Sequence, residues 1–163
     1  MAKDEKEQTK GQGSKINYRK FFYKTSIKWQ GERKGLLSSP EKPDIQVATP
    51  PEFKGHPGMW TPENLFVGAV ISCVMTTFLY YKVKENLEIV SYESQAEGTL
   101  EVVGTENKFI FSEIRVNPKI IVKQESDIPK VQHLMELTEK ECLISNSIKA
   151  KVIIAPEIEI IKG

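Results

Sequence analysis

The sequence is poor in the residues that most often build metal sites and disulfide scaffolds. Its 163 residues include two cysteines and two histidines. These are too few for a disulfide framework, a four-cysteine metal site or a histidine-rich metal site. Cysteine chemistry in this chain is therefore limited to a single thiol or to the pair formed by Cys73 and Cys142.

Arginine is also scarce, and the charges nearly cancel. Arg19, Arg33 and Arg115 are the only arginines, whereas lysine and glutamate are abundant, a bias that occurs in heat-adapted proteins among others. The formal net charge of +1 argues against a nucleic-acid partner bound through bulk positive charge, and the 39% of hydrophobic residues argues against a wholly disordered chain. No phosphate loop, dinucleotide fingerprint, zinc-protease motif or nucleophile elbow is present, so we expect no nucleotide, metal or other cofactor.

The amino terminus carries no recognisable export signal. Residues 1–15 are polar and mixed in charge, without the apolar segment of a signal peptide. We therefore predict a disordered tail over residues 1–15 and a single domain over residues 16–163. A reducing, cytoplasmic compartment is the default expectation, and a permanent structural disulfide is not expected there.

The strand patterns predict an α+β fold. Aromatic and β-branched residues predict strands at residues 21–30, 36–38 and 45–49, followed by a Pro/Gly-rich loop at 50–61. Alternating residues at 89–103 and 108–123 predict a long antiparallel hairpin with one wet face. Asn117–Pro118 predicts a bulge or an edge position. A closing strand is predicted at residues 149–161, interrupted at Pro156.

Two helices complete the predicted order. Thr61 is a good N-cap and Pro62 suits a first helical turn, and residues 65–81 are apolar nearly all round. This run is shorter than the roughly 20 apolar residues of a membrane span. We expect a buried central helix, covered by a sheet on one side and by a partner helix or a second subunit on the other. Ser126 or Asp127 is predicted to cap a second helix that ends near residue 141.

Each cysteine taken alone is most simply a small buried hydrophobe. Cys73 lies deep in the predicted first helix, where the helix dipole does not reach it, so a low pKa would need a cation from elsewhere. Cys142 precedes a short helical stretch whose N-terminal amides would favour its thiolate. That position suits a leaving group better than a first attacker.

Two segments together carry a resemblance to a known family. The run TPENLFVGAVISC ends at Cys73, and ECLISNSIKAKV begins just before Cys142. In this order and separation they resemble the OsmC/Ohr family of osmotically inducible and organic-hydroperoxide-resistance proteins. The resemblance extends back through KWQGERKG and PPEFKGHPG and forward through the hairpin, so it covers most of the chain after the tail.

The resemblance implies a fold and a reaction. Members wrap antiparallel sheets around two central helices in an intertwined homodimer, with an active site at each subunit interface. Cys73 matches the peroxidatic cysteine, whose thiolate attacks an organic hydroperoxide and becomes a sulfenic acid. Cys142 matches the resolving cysteine, which forms a disulfide that an external dithiol then reduces. Glu63 matches a glutamate that pairs with an arginine near the thiolate.

Helix geometry limits the role of Glu63. Ten residues along a straight helix separate Glu63 from Cys73 by about 15 Å. Either the helix starts late and the loop folds back, or Glu63 serves the site of the other subunit.

The identity of the arginine is open at this stage. Arg33 is the nearest candidate, although its alignment is offset by about two positions, and Glu52 stands where another branch of the family has its arginine. Lys34 or Lys54 could substitute as a point charge, without the fork of donors that arginine offers. The second motif departs as well, because Leu143 follows Cys142 where members often have proline.

The remaining candidates are loop residues. His56 is expected to be a surface histidine or to line a site entrance, and His133 a solvated helix residue. Phe53, Met59 and Trp60 could form an apolar mouth for a hydroperoxide or anchor the loop on the core. Two alternatives to a peroxidase stay open: a related protein that binds a small apolar or thiol-reactive ligand, and a protein whose thiols are buried and inert.

Overall fold

The computed structural model describes residues 19–162, and the predicted tail at residues 1–15 lies outside them. The described chain has the predicted α+β order. Its helices are α1 (Pro62–Lys84) and α2 (Ile128–Glu141). Its strands are β1 (Ser26–Trp29), β2 (Lys34–Ser38), β3 (Ile45–Ala48), β4 (Ser91–Val103), β5 (Lys108–Val122), β6 (Lys151–Ile154) and β7 (Glu157–Ile160).

The strands form two sheets. β1, β2 and β3 make a three-stranded antiparallel sheet. In the second sheet β4 and β5 form the predicted antiparallel hairpin, and β6 and β7 both pair with β5 in parallel. The predicted closing strand is therefore two short strands, which continue each other along one side of β5.

Pro118 is accommodated without the predicted bulge. The register of β4 and β5 shifts at Thr99/Leu100 and runs regularly past Pro118. β6 pairs with Glu113–Val116 and β7 with Lys119–Val122, so Pro118 faces the junction between them. Proline has no N–H to donate, and on that side of β5 no parallel neighbour requires one.

The first strand is shorter than predicted. Phe21, Phe22 and Tyr23 precede β1 in irregular backbone and are 73%, 81% and 95% exposed. Their composition favours a strand, but no described segment of this chain pairs with them. Strand propensity expresses packing against neighbouring strands, and no strand among residues 19–162 pairs with these three residues.

Helix α1 is the central helix, buried on one side. Thr61 accepts a hydrogen bond from the amide of Asn64 and completes a capping box with it, as an N-cap should. Val70, Val74 and Phe78 are fully buried in the core, which also contains residues of β5 and α2. Gly98 of β4 allows close packing, because a Cβ there would lie 2.6 Å from the side chain of Val67.

The opposite side of α1 has no cover within the described chain. Exposed residues recur along it at helical spacing: Ser72, Met75, Thr76, Tyr80 and Val83. The helix has the length and hydropathy of a membrane span, with a mean hydropathy of 1.5 in its most apolar window. One face of α1 packs in the core against the second sheet and α2, as in a core helix of a globular protein. Its other face is exposed to solvent in the single chain.

Helix α2 packs against α1 through one apolar face, as predicted. Val131, Leu134 and Met135 are buried in the shared core. Asp127 occupies the predicted N-cap position, but its side chain accepts no hydrogen bond from the helix. Its carboxylate lies 3.5 Å from the Lys130 ammonium instead.

Candidate active site

The structure brings the two cysteines together. Cys73 projects from α1, and Cys142 is the C-cap residue of α2, so the packing of the two helices sets their separation. Both are free thiols, and the Cys142 side chain is among the groups that shift the pKa of Cys73. Cys73 is half-buried, whereas Cys142 is fully buried.

Backbone amides hold the Cys73 sulfur. Burial raises the pKa of the Cys73 thiol, but hydrogen bonds from the amide of Ile144, the Cys142 side chain, Thr77 and the amide of Leu143 outweigh it, so the pKa is lowered overall. The Thr77 hydroxyl lies 3.9 Å from the sulfur. No cation of the described chain is among the main groups that lower this pKa. Peptide N–H groups, which the sequence did not single out, therefore favour the thiolate, and activation by a cation stays a prediction.

The Cys142 sulfur has the opposite tendency. Burial raises the pKa of the Cys142 thiol, and Cys73 raises it further, while the hydroxyl and the amide of Ser145 act in the other direction. The Ser145 Oγ donates to Cys142 Sγ at 3.1 Å. The amides of Leu143 and Ile144 thus favour the thiolate of Cys73, whereas the amide of Ser145, in the same stretch, favours the thiolate of Cys142.

A separate cavity lies at the start of α1. Its volume is about 690 Å³, and neither cysteine lines it. The lining is largely apolar, from the loop before α1, from α1 itself and from the hairpin: Phe53, Met59, Val67, Leu100, Phe109 and Phe111. Phe53 packs edge-to-face on Phe109 with ring centroids 5.2 Å apart. This arrangement gives a wide apolar mouth next to the helix start.

Glu63 faces this cavity and not Cys73 of its own chain. Its Oε2 is buried and has no hydrogen-bond partner within the described chain. Leaving a buried carboxylate oxygen without a hydrogen bond is costly, so a donor from outside these residues would stabilise Glu63 in this place.

Arg33 lies on the other side of the α1 start. It shares a shallow cavity with Lys34 and Pro62, and its guanidinium donates to the backbone carbonyl of Phe53. Within the described chain it is not among the main groups that shift the pKa of Cys73. Its assignment to thiolate activation stays a prediction, and it requires a second copy of the chain.

His56, in the loop before α1, contacts Glu32 in the turn between β1 and β2. His56 lines the cavity, and its Nε2 lies 3.1 Å from a carboxylate oxygen of Glu32, which also binds the Lys34 ammonium at 2.9 Å. Met59 and Phe53 line the cavity, which agrees with the prediction that they form an apolar mouth. Trp60 does not line it, and its backbone forms an isolated β-bridge with Val47.

Sequence reasoning missed the residues that touch the two sulfurs. Thr77 and Ser145 carry no distinctive motif, although Ser145 belongs to the segment that carried the resemblance. His133 is an exposed residue of α2, 3.9 Å from Glu136. Over residues 19–162, no three His, Cys, Asp or Glu side chains form a cluster that could hold a metal ion.

Replacing Leu143 by proline tests the amide contribution. Leu143→Pro removes one N–H donor while the preceding residue already has an extended conformation (φ −63°, ψ 112°), which a residue before proline requires. We expect the pKa of Cys73 to rise and its alkylation rate at neutral pH to fall about threefold, because the Leu143 amide is the weakest of the named hydrogen bonds to this sulfur. Iodoacetamide labelling against pH measures both quantities. Leu143→Ala keeps the amide and should match the parent, and equal behaviour of the two variants would contradict the assignment.

Two sequence comparisons relate this chain to known proteins. A family model described as OsmC-like protein matches residues 55–157. The uncharacterized protein YmaD of Bacillus subtilis (strain 168) is 26% identical over 138 residues, which are 81% of this chain and 88% of that protein.

Solved structures share the fold. An OsmC-like protein of unknown function from Vibrio cholerae superposes with a TM-score of 0.74 and 20% identity, over 84% of this chain and 98% of that one. An organic hydroperoxide resistance protein from Legionella pneumophila gives a TM-score of 0.65 and 19% identity, over 86% of this chain and 98% of that one. At these identities the likeness concerns the fold.

Proposed function

This chain belongs to the OsmC-like protein family, and from that premise we propose that it is a thiol-dependent peroxidase that reduces organic hydroperoxides through Cys73 and Cys142. One observation carries the proposal: a half-buried Cys73 with a lowered pKa lies against a fully buried Cys142. A nucleophilic thiolate next to a second thiol is the arrangement that peroxide reduction by a cysteine pair requires.

The proposed reaction has two steps at the cysteine pair. The Cys73 thiolate attacks the terminal oxygen of the hydroperoxide, the O–O bond breaks, and the alcohol leaves after taking a proton, so that Cys73 becomes a sulfenic acid. The Cys142 sulfur then attacks Cys73 Sγ, the S–O bond breaks, and water leaves as the disulfide forms. An external dithiol returns both cysteines to thiols and is itself oxidised to a disulfide.

A homodimer is part of the proposal. The apolar face of α1 and the exposed aromatic residues 21–23 leave surface that a second copy would cover. Glu63, whose buried Oε2 lacks a partner within the described residues, would then contribute to the cysteine site of the other subunit, together with Arg33 of its own chain. The cavity beside Glu63 would admit the apolar part of the hydroperoxide.

Consumption of peroxide tests the function directly. The purified full-length protein is mixed with a dithiol and with cumene hydroperoxide, and residual peroxide is measured over time. We expect catalytic consumption, many equivalents per chain, and no acceleration over the dithiol alone would contradict the proposal.

A second candidate function rests on the cavity alone. Its apolar lining contains neither cysteine, so it would hold a small apolar molecule whether or not the thiols react. A protein that binds an apolar fluorescent probe in this cavity but consumes no hydroperoxide would favour that alternative.

A further inference from the structure

The two sulfurs of the pair differ in what can reach them. Cys142 has no exposed surface, whereas Cys73 is partly exposed on α1. Nucleophilic attack on a disulfide requires access to one sulfur along the S–S axis. A dithiol in solution therefore meets Cys73 Sγ first.

Cys142 Sγ, the leaving group in this reaction, accepts a hydrogen bond from the Ser145 hydroxyl. When Cys73 is attacked, the electron pair of the S–S bond passes to Cys142 Sγ, which becomes a thiolate in a fully buried place. A buried charge is costly unless hydrogen bonds hold it. The Ser145 hydroxyl donates to that sulfur at 3.1 Å, and the Ser145 amide acts on the same sulfur.

The donors around the pair are divided between the two sulfurs. The amides of Leu143 and Ile144 act on Cys73, and both donors of Ser145 act on Cys142. The segment from Leu143 to Ser145 thus stabilises negative charge on either sulfur. It stabilises the Cys73 thiolate that attacks the peroxide and the Cys142 thiolate that leaves when the disulfide is reduced.

We propose that Ser145 is a further catalytic residue, which directs reduction of the disulfide to Cys73 by stabilising Cys142 as the leaving thiolate. This inference rests on the proposed function, because it concerns the step that regenerates the thiols. The thiolate of the external dithiol bonds to Cys73 Sγ as the Cys73–Cys142 bond breaks, and Cys142 takes a proton from solvent. The second thiol of the reductant then attacks its own mixed-disulfide sulfur, releasing Cys73 as a thiolate and oxidising the reductant to a disulfide.

Trapping with a monothiol locates the attack. The disulfide is prepared in the full chain with diamide, so this test does not depend on peroxidase activity. The oxidised protein is mixed briefly with glutathione, quenched in acid, alkylated and mapped by mass spectrometry. We expect glutathione on Cys73 and the alkyl group on Cys142. Glutathione mainly on Cys142, or failure of diamide to form the disulfide, would overturn the proposal.

Substitution of Ser145 tests its role. In Ser145→Ala we expect reduction of the preformed disulfide by dithiothreitol to slow about tenfold, the worth of a hydrogen bond to a charged group. Ser147→Ala is the matched control, because the Ser147 hydroxyl donates to the Leu143 carbonyl and to neither sulfur. Ser145→Thr keeps the hydroxyl and should restore most of the rate. Equal rates in Ser145→Ala and Ser147→Ala, or a slow Ser145→Thr variant, would contradict a role through the hydroxyl.

Discussion

Cys73→Ser is expected to reduce hydroperoxide consumption by on the order of a thousandfold or more, because it removes the atom that forms the covalent intermediate. A serine hydroxyl is not ionised at neutral pH, so the amides of Leu143 and Ile144 would have no anion to hold. Steady-state peroxide loss in the presence of excess dithiol measures the effect. A variant that keeps the parent rate would show that the chemistry lies elsewhere.

Cys142→Ser is the informative companion to that substitution. It leaves Cys73 able to attack but removes the thiol that forms the disulfide. We expect the variant to consume a single equivalent of hydroperoxide per chain without added reductant and to stop at the sulfenic acid, which dimedone labels. Thermal unfolding of both variants shows whether either loss comes from misfolding.

A charge on the open face of α1 is expected to separate the subunits. Met75 is 36% exposed in the single chain and lies between Tyr80 and Ser72 on that face. Met75→Lys would place an ammonium group in an apolar interface, at a cost of several kcal/mol. Light scattering after gel filtration should give twice the chain mass for the parent and the chain mass for the variant.

Activity should follow the assembly state. If Glu63 of one copy serves the site of the other, monomeric Met75→Lys should lose most of its peroxidase rate while its Cys73 remains open to alkylation. Gln132→Lys adds the same charge on the exposed side of α2 and should change neither mass nor rate. A monomeric parent protein with full activity would contradict the dimeric site.

Local sequence signals predicted the elements well where each element depends on its own residues. Thr61 and Pro62 mark the start of α1 because an N-cap and a first-turn proline act within one turn. Pro156 interrupts the closing strand as predicted, but the parallel pairing of β6 and β7 with β5 depends on a strand far away in the chain. Residues 21–23 have the composition of a strand, but no strand in the described part of the chain pairs with them, so their prediction failed.

The cysteine pair could be predicted only through resemblance. Periodicity places Cys73 inside one helix and Cys142 after another, but says nothing of their meeting. The lowered pKa of Cys73 was even harder to predict from the sequence, because the amides of Leu143 and Ile144 contribute to it. Backbone donors are present at every residue except proline, so the sequence does not mark the ones that matter. The sequence did show that Leu143 stands where family members often have proline. Leucine, unlike proline, has a backbone N–H, and this N–H acts on Cys73.

The central claim is that Cys73 and Cys142 form a redox pair driven by organic hydroperoxide. The most direct test adds one equivalent of cumene hydroperoxide to the reduced full-length protein without other reductant, and then determines its intact mass and disulfide map. The account predicts loss of two hydrogen atoms per chain, a Cys73–Cys142 disulfide and one equivalent of the alcohol. Unchanged mass with both thiols still free to alkylate under denaturing conditions would contradict it.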